Sequence, residues 1–191
     1  MTTVAPGWEE AWRRFHHGVV VGRLWVGPPW ERPPAGTPAI VIDPGRAFGT
    51  GAHPTTRLSL ELLQQLEPAS LLDIGCGSGV LAIAAKKLGF PTVFAIDADD
   101  AAIEATLANA RLNGVEVRAG AGDAIAHDLP QTEVAVANVA LEVVERVLPR
   151  LDAHRFIASG YLARDEPHAD GWRRVERRLA DGWAADLFEP A

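Results

Sequence analysis

Leu71-Leu72-Asp73-Ile74-Gly75-Cys76-Gly77-Ser78-Gly79-Val80 is the stretch that decides the fold. An apolar run ends in a turn of alternating glycines, a helix-forming run follows, and the next apolar run closes on an acid, Asp97. Strand, glycine turn, helix, strand and acid form the layout of a nucleotide-handling α/β domain. Gly75, Gly77 and Gly79 lack Cβ atoms, so the turn can bend sharply and let a ligand lie against the backbone. Asp97, at the C-terminal edge of the sheet, is expected to meet a ribose there through charge-assisted hydrogen bonds.

Two cofactor classes use that layout, and spacing separates them. Dinucleotide folds want Gly-x-Gly-x-x-Gly/Ala, because the third small residue lets the helix pack closely while its N-terminus receives a pyrophosphate. Here that position is Val80, and the third glycine comes one residue early, at Gly79. S-adenosylmethionine carries no phosphate, and its turn needs only room for an amino-acid tail and a nucleoside. The Gly-x-Gly-x-Gly spacing, with Asp73 just ahead, resembles motif I of the seven-strand methyltransferases, so S-adenosylmethionine is the expected cofactor.

Composition bounds the rest. At 191 residues and 48% hydrophobic content the chain suits one globular domain with a full-sized core. No apolar run approaches the ~18 residues of a membrane helix, and the N-terminus lacks the apolar core of a secretory signal. Cys76 is the single cysteine; it allows no internal disulfide, reads as a small side chain packed under the turn, and makes the cytoplasm the expected location. A net charge of −7 argues against broad affinity for nucleic acid and suits a basic partner. Arg173-Arg174 with Arg177-Arg178 reads as a solvated face. No cluster of His, Cys and acids suggests a metal site.

Outward from the glycine turn the chain alternates regularly. Strands are expected at Ser70–Ile74, Thr92–Ile96, Val115–Arg118, Val134–Ala137 and Phe156–Ser159, with helices at Val80–Leu88, Ala101–Asn113 and Leu141–Leu148. That order implies right-handed crossovers and a parallel sheet. Toward the C-terminus, Trp172, Val175 and Leu179 are spaced like a helix face, whereas Asp181-Gly182 signals a hairpin. Upstream, Trp8–Phe15 reads as a short helix and Val19–Val21, Leu24–Val26 and Ala39–Ile42 as strand-like pieces. Residues 1–45 therefore read as an appendage packed on a main domain of 46–191.

Three further places carry chemistry. Asp43–Thr56 is a glycine-rich loop with an embedded aromatic, Phe48, able to approach a ligand closely and lay a ring over it. Thr55 and Thr56 stand near a helix start, where a threonine is usually a cap, and His53 reads as a surface or capping residue. Asn138 ends the fourth strand of the main domain and points into the crevice where open α/β sheets bind ligands.

Taken together, Asp43-Pro44-Gly-x-Ala47-Phe48-Gly49-Thr50-Gly51-x-His53-x-Thr55-Thr56, then Asp73 through Ala84, then Asn138, resemble the PrmA-type methyltransferases. That resemblance implies methylation of lysine and N-terminal amines on protein eleven of the large ribosomal subunit. It implies a seven-stranded Rossmann-like class I methyltransferase sheet, mostly parallel, with an antiparallel C-terminal hairpin strand. Cofactor contacts would fall on Thr56, Asp73, Gly75, Gly77, Asp97 and Asn138, with Phe48-Gly49-Thr50 as a lid and Asn138 also orienting the amine. Family members usually carry an N-terminal domain that grips the substrate, and this chain begins at the linker helix. Another protein substrate, a small-molecule amine, or a non-catalytic cofactor-binding subunit stay open as alternatives.

Overall fold

The computed structural model describes residues 17–44 and 51–191. The helix expected at Trp8–Phe15 and the Phe48-Gly49-Thr50 lid lie outside the described residues. Val19–Val21 (β1) and Leu24–Gly27 (β2) pair antiparallel, and Ala39–Val41 (β3) joins β2 in parallel. These three strands form a small sheet of their own. Its inward residues Val21, Leu24, Val26 and Ile40 belong to the same apolar cluster as the main domain, so the two sheets share a core.

The main sheet has seven strands in the order β6-β5-β4-β7-β8-β10-β9. They are Leu71–Ile74 (β4), Val93–Asp97 (β5), Arg118–Ala121 (β6), Val134–Asn138 (β7), Arg155–Leu162 (β8), Trp172–Ala180 (β9) and Trp183–Pro190 (β10). The pairs among β4–β8 are parallel, and β10 runs antiparallel to both β8 and β9. This is the expected class I methyltransferase sheet with its antiparallel C-terminal hairpin. Successive residues of a strand point to opposite faces. Leu71 accordingly packs in one cluster with the helices Pro54–Leu63 (α1), Val80–Lys87 (α2) and Asp100–Leu112 (α3). Leu72 and Ile74 pack in the other with Leu141–Val147 (α4). Among the described residues no helix is long and apolar enough to cross a membrane.

Helix ends follow local chemistry. The Asp99 carboxylate caps α3 by accepting from Ala101 N–H at 2.9 Å. His53 caps α1, its Nδ1 accepting from Thr55 N–H, with Pro54 in the first turn where its missing donor costs nothing. The cap is thus the histidine, not a threonine.

Two expectations are corrected, and the open reading of the C-terminus is resolved as a hairpin. The third strand of the main domain lies at Arg118–Ala121, not Val115–Arg118. Val115 and Val117 pack beneath the helices in the approach, and the ladder to β5 begins only at the Phe94–Arg118 pair. The helix-like spacing of Trp172, Val175 and Leu179 belongs to β9, where Val175 and Leu179 face solvent. Asp181 and Gly182, both at positive φ, make the tight turn that sends β9 back into β10. The arginine cluster is a solvated face only in part: Arg173 is exposed, but its neighbours are engaged in ion pairs. Arg174 and Arg177 lie 3.8 and 3.7 Å from the carboxylate of Asp186, which is fully buried on β10 and also accepts from the Tyr161 hydroxyl at 2.8 Å. Arg178 pairs with Glu61 and Glu176. Arg177 also donates to the carbonyls of Ala163 and Asp165, tying down the loop between β8 and β9.

Candidate cofactor and acceptor site

The parallel register sets the site. Ile74 is level with Ile96 on one side and Ala137 on the other, so the next residues, Gly75, Asp97 and Asn138, meet at one edge of the sheet. Gly75, Gly77 and Gly79 all adopt positive φ, at 70°, 53° and 80°. A side chain at any of the three would strain the turn that brings β4 into α2.

A cavity of about 260 Å³ opens at this edge. Ile74, Ile96, Ile125, Val139 and Val143 supply apolar walls, and Gly75, Asp97 and Asp123 also line it. Asp97 is already oriented. Its Oδ2 accepts from Gly77 N–H at 2.9 Å and its Oδ1 from Asp99 N–H at 3.0 Å. Each oxygen keeps acceptor capacity for a further donor such as a ribose hydroxyl. Asp123 Oδ1 accepts from Ile125 N–H at 2.8 Å, which turns that carboxylate at the cavity lining. Apolar walls with two acceptors fit a nucleoside, whose flat base needs burial and whose hydroxyls and exocyclic amine need acceptors.

Asp73 sits elsewhere. It is 1% exposed, on the α2 face of β4, and its Oδ2 accepts from Ala82 N–H at 3.0 Å. Burial pushes its carboxyl up to about 7, against the Ala82 hydrogen bond and helped by the charge of Asp97. It holds the start of α2 and is not among the cavity-lining residues. Cys76 is buried under the turn, and burial, with Asp73 nearby, pushes its thiol up to about 12, leaving a neutral packing group.

Thr56 and Asn138 come together. The Asn138 side-chain amide donates to the Thr56 hydroxyl at 3.2 Å, although Thr56 is on α1 and Asn138 ends β7. No hydrogen bond joins Asn138 Oδ1 to another described residue. Next to this pair, His53 meets Trp183 edge-on with ring centroids 4.8 Å apart. Burial first, and then the Arg57 charge, lowers the His53 pKa below the usual imidazole range.

Sequence reasoning missed Asp123 and Val139. Asp123 follows β6 two residues beyond its end, as Asp97 ends β5, and a strand placed three residues early hid that equivalence. Val139 had no signal of its own. Its importance lies in being wedged beside Gly75, where a Cβ would stand 2.4 Å from its Cγ1, and against Gly160, where a Cβ would stand 2.1 Å from its carbonyl oxygen.

Comparison with known proteins agrees with this geometry. The chain is 41% identical over 198 residues to the ribosomal protein L11 methyltransferase of Symbiobacterium thermophilum, covering 94% of this chain and 64% of that protein. It is 43% identical over 167 residues to the protein of that name from Shewanella sediminis, covering 82% of this chain and 55% of the relative. The chain thus spans less than two thirds of the length of these curated relatives. The crystal structure of a ribosomal protein L11 methylase from Lactobacillus delbrueckii subsp. bulgaricus superposes with a TM-score of 0.83 at 28% identity, over 91% of this chain and 98% of that one. Residues 3–185 match the model of one family, and by that match the chain belongs to the ribosomal protein L11 methyltransferase (PrmA) family.

Proposed function

We propose that this chain is an S-adenosylmethionine-dependent N-methyltransferase that modifies amino groups of a protein, with ribosomal protein L11 as the leading acceptor, in the cytoplasm. The observation that carries the reading is the apolar cavity with Asp97 and Asp123 in its lining, next to the Asn138–Thr56 pair at the same sheet edge. Within it, Asp97 would hold the ribose hydroxyls and Asp123 the exocyclic amine of the base. Thr56, Gly75, Gly77 and Asn138 would complete the cradle, beneath the Phe48-Gly49-Thr50 segment. When bound, S-adenosylmethionine supplies an electrophilic methyl group.

The chain's own residues handle the acceptor. A lysine with pKa near ~10.4 is neutral in only about one part in a thousand near pH 7.4, an offset of roughly 4 kcal/mol. Apolar surroundings favour the neutral amine. Asn138 Oδ1 would accept a hydrogen from that amine and aim its lone pair, an effect of orientation. No residue here is assigned as general base. The net charge of −7 suits a basic acceptor rather than nucleic acid.

The test incubates the chain with labelled S-adenosylmethionine and either purified ribosomal protein L11 or a panel of free small amines, beside calorimetry of the cofactor. Label on the ribosomal protein supports the proposal. Methylation of the small amines alone overturns the protein acceptor, and cofactor binding without transfer to anything points to a non-catalytic subunit. No heat from S-adenosylmethionine overturns the cofactor.

A further inference from the structure

The back of the glycine turn rests on α3, and it does so through polar side chains. A Cβ on Gly79 would stand 2.9 Å from Thr106 Cγ2 and 3.1 Å from Thr106 Cα, so this glycine makes room for the helix and not for a ligand. Thr106 Oγ1 lies 3.0 Å from Gly77 O, to which it donates, and 3.3 Å from Cys76 Sγ. Three residues on, Asn109 Nδ2 donates to Ser78 O at 2.9 Å while its Oδ1 accepts from Asp43 N–H at 3.0 Å. One helical turn further, Asn113 accepts from Val41 N–H and donates to Val41 O. These residues are 0%, 2% and 8% exposed. Buried polar groups are costly unless satisfied, and this stripe is satisfied by the backbone of the turn and of the β3 segment.

We propose that Thr106 and Asn109 are positioning residues for the cofactor site, and that Asn113, which bonds Val41 and the Asn109 carbonyl, serves the β3 contact and not the turn. The proposal rests on the cofactor reading above. Gly77 is gripped on both sides: its carbonyl by Thr106 and its N–H by the Asp97 carboxylate. With the Ser78 carbonyl held by Asn109, the peptides on either side of the turn are ordered before any ligand arrives. Without these contacts the ligand itself would have to order the turn, and its affinity would fall by that amount.

Three variants separate the roles. Thr106→Val keeps shape and removes the donor to Gly77 O. Asn109→Asp keeps the acceptor for Asp43 N–H and removes the donor to Ser78 O. Asn113→Ala removes the Val41 contacts and the donor to Asn109 O, and leaves every hydrogen bond to the turn in place. Calorimetry of S-adenosylhomocysteine should show its Kd raised about tenfold in each of the first two and by less than twofold in Asn113→Ala. Amide exchange of the ligand-free protein should quicken at residues 77–79 in the first two variants only. Equal affinity across all variants overturns the proposal, as does equal weakening in Asn113→Ala or unchanged exchange at 77–79. Should Asn109→Asp fail to fold, Thr106→Val decides alone. Failure of the unaltered chain to bind the ligand overturns the cofactor reading and the proposal with it, whereas normal binding with insensitive variants overturns the proposal only.

Discussion

The amide of Asn138 donates to the hydroxyl of Thr56 across 3.2 Å, joining residues 82 apart in the chain. The bond gives the amide NH₂ a partner and leaves Oδ1 as the acceptor available for another donor. Asn138→Ala should therefore lower kcat more than it weakens S-adenosylmethionine binding, because alignment of an amine is realised most fully in the transition state. Thr56→Val keeps the shape and removes only the anchor. A neutral hydrogen bond contributes about 1 kcal/mol, so a loss of roughly fivefold in kcat is expected. Steady-state kinetics beside calorimetry makes the check, and equal losses in both quantities would reduce Asn138 to a cofactor ligand.

Asp97→Ala should weaken cofactor binding by about 1.5–3 kcal/mol, or one to two decades, the range for hydrogen bonds to a charged group. Asp97→Asn, which keeps an acceptor and loses the charge, should fall between the two. Calorimetry reads both, and an unchanged Kd in Asp97→Ala would remove that residue from the site.

These residues were legible in the sequence for a physical reason. The glycine turn, Asp97 and Asn138 each follow from local pattern: apolar runs of strand length, a turn that needs glycine, and a polar residue closing the strand. What escaped was long-range. Asp123 follows a strand of the weak sequence Arg118-Ala119-Gly120-Ala121, which lacks β-branched residues to announce it. Asn109 carries no local signal and Asn113, before Gly114, reads only as a helix stop, because their partners lie 31 and 72 residues away. The arginines of β9 read as solvated since nothing local shows that Asp186 is buried beside them.

Asp73 predicts a pH dependence. Its folded carboxyl is raised to about 7 from 3.8, so between those values the folded state binds more protons than the unfolded chain. Stability contributed by this residue is then greatest in acid, falls as pH rises toward 7, and is flat above it. Asp73→Asn mimics the protonated carboxyl and retains an acceptor for Ala82 N–H. It should flatten that part of the profile and match or exceed the parent at pH 8. Urea denaturation from pH 4.5 to 8 reports the slope, and identical slopes in both proteins would refute the assignment.

Gly160→Ala should be severely destabilising. Gly160 has φ 101°, and an added Cβ would stand 2.1 Å from Val139 O and 2.7 Å from Val139 N. Backbone cannot swing aside as a side chain can, and strain of this kind costs about 3 kcal/mol or more. For a domain of this size that is a drop in Tm of roughly 6–12 °C, measurable by scanning calorimetry. A shift under about 2 °C would mean that the loop after β7 yields freely.

The wedge at Val139 has a consequence for engineering. Residue 75 follows β4 and residue 160 lies in β8, the two strands that flank β7, and both are held to hydrogen-sized side chains by the same neighbour. Position 139 can shrink without disturbing either glycine, whereas a Cβ at 75 would meet its side chain and one at 160 would meet its backbone. Libraries meant to widen or re-aim the pocket should thus allow Ala or Ser at 139 and leave both glycines untouched.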